Sequence, residues 1–147
     1  MPKYNRQFVD ETAKRFKGLP ADKKPLWGRM SPLQMYAHIT TSVRYSLGKE
    51  PLTPNEGGWL GHYIVAPLLL NGFIKMPKNL KMPKMYDTQA PKGDLTALIA
   101  ELNEFLKSLE TPSFVAPSHP YFGDVGAVGW SKVHYYHINH HATQFGV

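Results

Sequence analysis

Four of the chain's seven histidines are crowded into eight residues, His134-Tyr135-Tyr136-His137-Ile138-Asn139-His140-His141. Imidazole is the side chain best suited to hold a first-row metal ion or to move a proton near neutral pH. At about 100° of rotation per residue, a helix gathers His134, His137 and His141 into one narrow sector with Trp130 and Phe145, while His140 projects to the side. His137 and His141 stand at i and i+4, so their rings lie on successive turns with nitrogens able to converge on one ion. His134, one turn earlier, is placed either to ligate or to orient a ligand. Imidazoles on the buried face of a helix must be paired, because an unpaired buried polar group costs about 1–3 kcal/mol.

Two ligands from one helix leave a site open, so a third must come from a neighbouring element. His38 is the best candidate, because its sector carries Gln34, Ser42 and Tyr45 beside the aliphatic stripe of Leu33, Ile39, Val43 and Leu47. A neutral site of three histidines keeps coordination positions open, which suits a catalytic ion more than a structural one. Zinc or nickel is the expected ion, with iron and manganese also compatible with imidazole. His134 and Tyr45 are the candidates for proton transfer or orientation. His62 and His119 read as structural histidines and His140 as a flank residue. No glutamate follows the spacing of helical zinc peptidases, and no Gly-x-Ser-x-Gly turn is present, so peptidase and serine-hydrolase chemistry are disfavoured.

The elements that must position these groups read as helices. A periodic run from about Asn5 to Phe16 stops at Gly18 and Pro20. Ser31-Pro32-Leu33-Gln34 has the form of a capping box with proline at the first helical position, opening a helix to about Leu47 before Gly48. Gly57 to Phe73 is apolar on nearly all sides, predicting either a buried helix bent at Pro67 or an irregular packed segment. Asp94 caps an amphipathic helix through Leu109, and Asp124 to Gln144 forms the last, histidine-bearing helix. Strand-like alternation is nowhere sustained, so the expected fold is all-α.

The residues His38, after Trp27-Gly28-Arg29-Met30-Ser31-Pro32, and His137 through Gln144 in the last helix resemble the DinB/YfiT-like superfamily of metal-dependent enzymes. Within it, the stretch from His119-Pro120-Tyr121-Phe122-Gly123 to Gln144-Phe145-Gly146 is similar to a small subfamily known only as a domain of unknown function. The resemblance implies a four-helix bundle with an additional short helical segment or long loops. It also implies metal ligands at His38, His137 and His141, with His140 and Gln144 as neighbours, and an assembly that is often dimeric. Thiol-dependent transferases and isomerases using a low-molecular-weight thiol occur among such proteins, so thiol transfer on a small molecule is the activity it implies, while an open three-histidine ion also suits hydrolysis.

A chain of 147 residues, 42% hydrophobic and 19% charged, fits a single globular domain across residues 1–147 and excludes extensive disorder. The absence of cysteine rules out disulfides, thiolate metal sites and a cysteine nucleophile, so any thiol must be supplied from outside. The N-terminus lacks the apolar run of a secretory signal, and no segment approaches the roughly 20 apolar residues of a membrane span. The expectation is a cytoplasmic protein without a membrane partner. The net charge of +6 is concentrated at the N-terminus and in the echo Lys75-Met76-Pro77-Lys78 and Lys81-Met82-Pro83-Lys84, with Lys92 beyond. No aromatic rings are interleaved with those lysines, so nucleic-acid binding is disfavoured against a solvated loop. A metal-binding or ligand-binding bundle without catalysis is the alternative to an enzyme, and a histidine-rich core serving a protein partner is the third reading.

Overall fold

A computed structural model describes residues 3–51, 56–78 and 93–147. Three of its longer helices begin where a side chain accepts from a free backbone N–H group of the first turn, whereas α6 opens at Val125 without such a cap. Helix α1, Arg6–Lys17, is capped by Asn5, whose Oδ1 accepts from Phe8 N at 2.9 Å. Helix α2, Pro32–Ser46, opens with both halves of the capping box: Ser31 Oγ accepts from Gln34 N at 3.2 Å, and Gln34 Oε1 accepts from Ser31 N at 2.9 Å. It ends at Leu47, where Gly48 turns the chain with φ +72°. Three short consecutive pieces follow: α3 (Gly58–Leu60), a π turn (Gly61–Val65) and α4 (Ala66–Leu70). Helix α5, Leu95–Leu109, is capped by Asp94, and α6, Gly126–Gln144, is the longest. Among the described residues there is no strand, only an isolated antiparallel bridge between His119 and Gly123.

The four longer helices pack around a shared core, with α2 against α5 and α6, and α1 against the same two. Met35, Ile39 and Val43 of α2, Leu98, Leu102 and Phe105 of α5, and Trp130, Ile138 and Ala142 of α6 are completely buried. Each large apolar side chain so buried contributes about 1.5–3 kcal/mol. Buried phenols are satisfied by backbone: Tyr4 donates to Leu102 O at 2.8 Å and Tyr36 to Phe16 O at 3.0 Å. Pairings between α2 and α6 run in opposite senses, His38 meeting His137 while Ser46 meets His134, so the two helices are antiparallel.

The apolar third segment departs from its sequence reading. It is helical from Gly58 to Leu70, but the irregularity lies in the π turn at Gly61–Val65; Pro67 sits in the first turn of α4, where a missing N–H does no harm. Nor is it buried all round: Gly61, Ala66, Leu69 and Leu70 are covered, whereas Trp59, Leu60, Tyr63, Ile64 and Leu68 are exposed. Among the described residues, only one face has a neighbour. A Cβ at Gly57 or Gly61 would lie 1.9 or 2.4 Å from Tyr121 O, so these glycines let the His119–Gly123 turn pack directly on the helix backbone. Lys75 to Lys78 has no regular structure, as its proline implies, while the second half of the basic echo, 81–84, and Lys92 lie outside the described residues. No helix among the described residues is long and apolar enough to cross a membrane.

Candidate metal centre

The antiparallel packing of α2 on α6 brings three imidazoles together. His38 Nε2 is 2.8 Å from His137 Nε2, and His141 Nε2 is 3.0 Å from the same atom; one nitrogen of each ring lies within 4.8 Å of the others. All three residues are at least 94% buried, at 4%, 6% and 6% exposure. The rings pack edge to face with centroids 4.7–4.9 Å apart, so the nitrogens meet at the centre of the group.

Protons cannot account for both short contacts. Gln144 Nε2 donates to Trp27 O at 3.0 Å, which turns Gln144 Oε1 toward His141 Nδ1, 2.7 Å away. His141 Nδ1 is therefore the protonated nitrogen, and His141 Nε2 presents a lone pair to the cluster. A proton on His137 Nε2 can point at His141 or at His38, not along both contacts. If that position carries no proton, the contact to His141 sets two lone pairs 3.0 Å apart. A cation accepting all three nitrogens removes the conflict. Imidazole–zinc bonds run about 2.0–2.1 Å, so two nitrogens sharing a tetrahedral ion stand roughly 3.3 Å apart, a few tenths of an ångström beyond the 2.8 and 3.0 Å seen here. The residues fit a divalent ion.

Electrostatics holds the rings ready. Burial lowers the pKa of His38 to about 3, reinforced by His141 and His140, and that of His141 to about 4, partly opposed by its bond to Gln144. His137 is pushed well below the ordinary imidazole range, again first by burial and then by His141 and His38. Desolvation disfavours the charged form, so the rings are neutral at pH 7 and need shed no proton to ligate.

His134 occupies a different environment. Ser46 Oγ donates to Val43 O at 2.6 Å and accepts from His134 Nε2 at 2.8 Å, so His134 is tied to the far end of α2. Its ring is fully buried among Phe105, Trp130 and Tyr4, and its Nδ1 has no hydrogen-bond partner among the described residues. Tyr45 is partly buried against the core, seven residues or about 10 Å along α2 from His38. Burial and the nearby Glu50 raise its phenol pKa.

His119 Nδ1 accepts from Tyr121 N and Phe122 N at 3.0 and 3.1 Å, holding its own turn, and His62 Nδ1 meets Phe122 O at 2.7 Å. His140 lies at the rim, its ring 5.3 Å from that of His141 and 5.5 Å from Trp27; Lys78 Nζ stands 4.4 Å from the Trp27 ring. The Ser46–His134 bond has no counterpart in the sequence reading. Its signal is the series His38, Ser42, Ser46 at intervals of four, a buried polar stripe down α2.

A family model spans nearly all of these elements, matching residues 9–146. The chain belongs to the family described as protein of unknown function, DUF1569. No curated protein and no solved structure matches the chain. The matched region contains every histidine of the cluster together with Gln144, Trp27 and Ser46.

Proposed function

We propose that this member of DUF1569 is a metal-dependent enzyme on a DinB/YfiT-like four-helix bundle. In this reading His38, His137 and His141 hold a divalent ion, zinc or nickel before iron or manganese, and the substrate is a small molecule undergoing thiol transfer or hydrolysis. The observation that carries the reading is the convergence of three Nε2 atoms, at 2.8 and 3.0 Å, whose protons cannot satisfy both contacts. When bound, a divalent ion supplies Lewis acidity and lowers the pKa of a water or thiol that it ligates. Gln144 fixes the tautomer and ring plane of His141, and Trp27 O fixes Gln144 in turn, so that the lone pair of His141 is aimed before any ion arrives.

No carboxylate belongs to the candidate ligand group among the described residues. Three neutral rings leave the charge of a divalent ion uncompensated in a buried site, which favours an anionic further ligand such as a thiolate or hydroxide. A thiol has to come from a low-molecular-weight compound, because the chain has no cysteine. Tyr45 is proposed for substrate orientation, and His134 for holding α6 against α2.

The same lack of a carboxylate supports a second reading, a metal-binding bundle without catalysis, since among the described residues no acidic group joins the three histidines as a general base. Elemental analysis of protein purified without affinity-tag metal or chelator tests the first requirement. About one ion per chain is expected, lost in the His137→Ala, His141→Ala double variant; no bound metal and no uptake on titration would sink both readings. A screen of thiol adducts and esters on the loaded protein separates them, turnover abolished by His38→Ala supporting the enzyme.

A further inference from the structure

The exposed face of the segment from Gly58 to Leu70 and its continuation to Lys75 plays no part in the candidate metal centre. Trp59 and Leu60, Tyr63 and Ile64, and then Leu68 are exposed at steps of four residues, with Phe73 continuing beyond α4. The aromatic members are the most open, at 69% for Trp59, 71% for Tyr63 and 78% for Phe73. Steps of four do not follow an α-helix straight, since 3.6 residues per turn would rotate the stripe around the axis. The π turn at Gly61–Val65 locally widens the helix and keeps the stripe on one side. The opposite side is fastened down by Gly57 and Gly61 against Tyr121 O and by Leu69 and Leu70 in the core, so the open face is held outward.

Charge at its border identifies the occupant. From Gly57 to Lys78 the sequence contains no acidic residue, although the exposed Glu56 stands just before it. Lys75 is exposed just past the stripe, and the partly exposed Lys132 of α6 joins it there, donating to Asn71 Oδ1 at 3.3 Å. Trp, Tyr and Phe beside Leu and Ile, edged by lysines, is the composition that seats a helix at the boundary between headgroups and acyl chains of an anionic bilayer. Protein interfaces carry about one hydrogen bond per 100–200 Å², whereas the exposed stripe offers little beyond the Tyr63 hydroxyl. A second copy would have to match an equally apolar face carrying the same positive border.

We infer that this face binds peripherally to an anionic lipid surface, with Trp59, Tyr63 and Phe73 inserted and Lys75 and Lys132 over the headgroups. The expectation of no membrane partner rested on the absence of a span, and a face lying in the interface needs none.

Co-sedimentation with vesicles tests it, using phosphatidylcholine alone and phosphatidylcholine mixed with phosphatidylserine. The full chain is expected to pellet with the mixed vesicles and far less with the neutral ones. Trp59→Ser with Phe73→Ser weakens binding about tenfold or more, and Lys75→Glu or Lys132→Glu about fivefold each with loss of the preference for phosphatidylserine. Val115→Ser removes an equally exposed apolar side chain outside the stripe and leaves binding unchanged. Trp59, Phe73, Lys75 and Val115 are exposed and Lys132 is partly buried, and circular dichroism checks that each variant folds. Failure to pellet with either vesicle overturns the inference. So does a concentration-dependent dimer that Trp59→Ser with Phe73→Ser dissociates, which would assign the face to a second copy. Metal content plays no part in this readout, so its failure leaves the three-histidine reading standing.

Discussion

The interface between α2 and α6 holds buried histidines at both ends, and the two ends do opposite things. At the His38 end, three rings turn their Nε2 atoms toward one another, and one of them, His141, has its proton held on the far nitrogen by Gln144. At the Ser46 end, His134 spends its Nε2 proton on a serine hydroxyl and lies packed among aromatic rings. Residue type, burial and helical face are nearly the same. The partner of one nitrogen decides which atom the other presents, and with it whether a histidine is a ligand or a strut.

Removing one histidine from each end gives the largest contrast. His137→Ala is expected to abolish metal retention in elemental analysis, whereas His134→Ala leaves about one ion per chain and instead lowers the denaturation midpoint, as loss of a buried, packed ring does by about 2–4 kcal/mol. Metal loss in both variants would erase the distinction.

Acid acts on both ends together. His38, His119 and His134 have pKa values lowered to about 3 and His141 to about 4, all first by burial, against about 6.5 in the unfolded chain. The unfolded state therefore binds more protons between these limits. The metal-free fold keeps its full stability above about pH 6.5 and loses it as pH falls toward 4, each histidine contributing up to about 1.4 kcal/mol per pH unit in that window. Denaturant titrations at pH 7, 6 and 5 should show a falling midpoint, and a flat profile would mean the rings are not buried as described.

Gln144→Ala sharpens the comparison at the ligand end, freeing His141 to take the wrong tautomer. Affinity for the ion should fall 10–100-fold in chelator competition, beside a stability cost of about 1–3 kcal/mol for the buried groups left unpaired. Ser46→Ala, at the other end, strands a buried N–H, with an expected cost of about 1–3 kcal/mol and unchanged metal stoichiometry.

Much of this was legible before the fold. The caps read at Ser31 and Asp94 are local chemistry between residues three apart, and each is formed as the residue types require; Asn5 caps α1 in the same way. The pairing of His137 with His141 is equally local, because one turn of helix sets it. The third segment was less legible: its apolar residues implied burial, but hydrophobicity records only that a face avoids water, not whether a neighbour in the same chain covers it. The Tyr121 backbone covers one side through Gly57 and Gly61, and the other is left open.

The sequence by itself determined the four longer helices, the shared sector of His134, His137 and His141, and the want of any cysteine to join them. Periodicity fixes an angle about a helix's own axis and nothing about the axis beside it. Only tertiary packing decided that α2 runs antiparallel to α6 in the register that sets His38 2.8 Å from His137 and Ser46 2.8 Å from His134. That register follows from the burial of Met35, Ile39 and Val43 against the common core, a sum over many apolar contacts spread along the chain, and no short motif carries it.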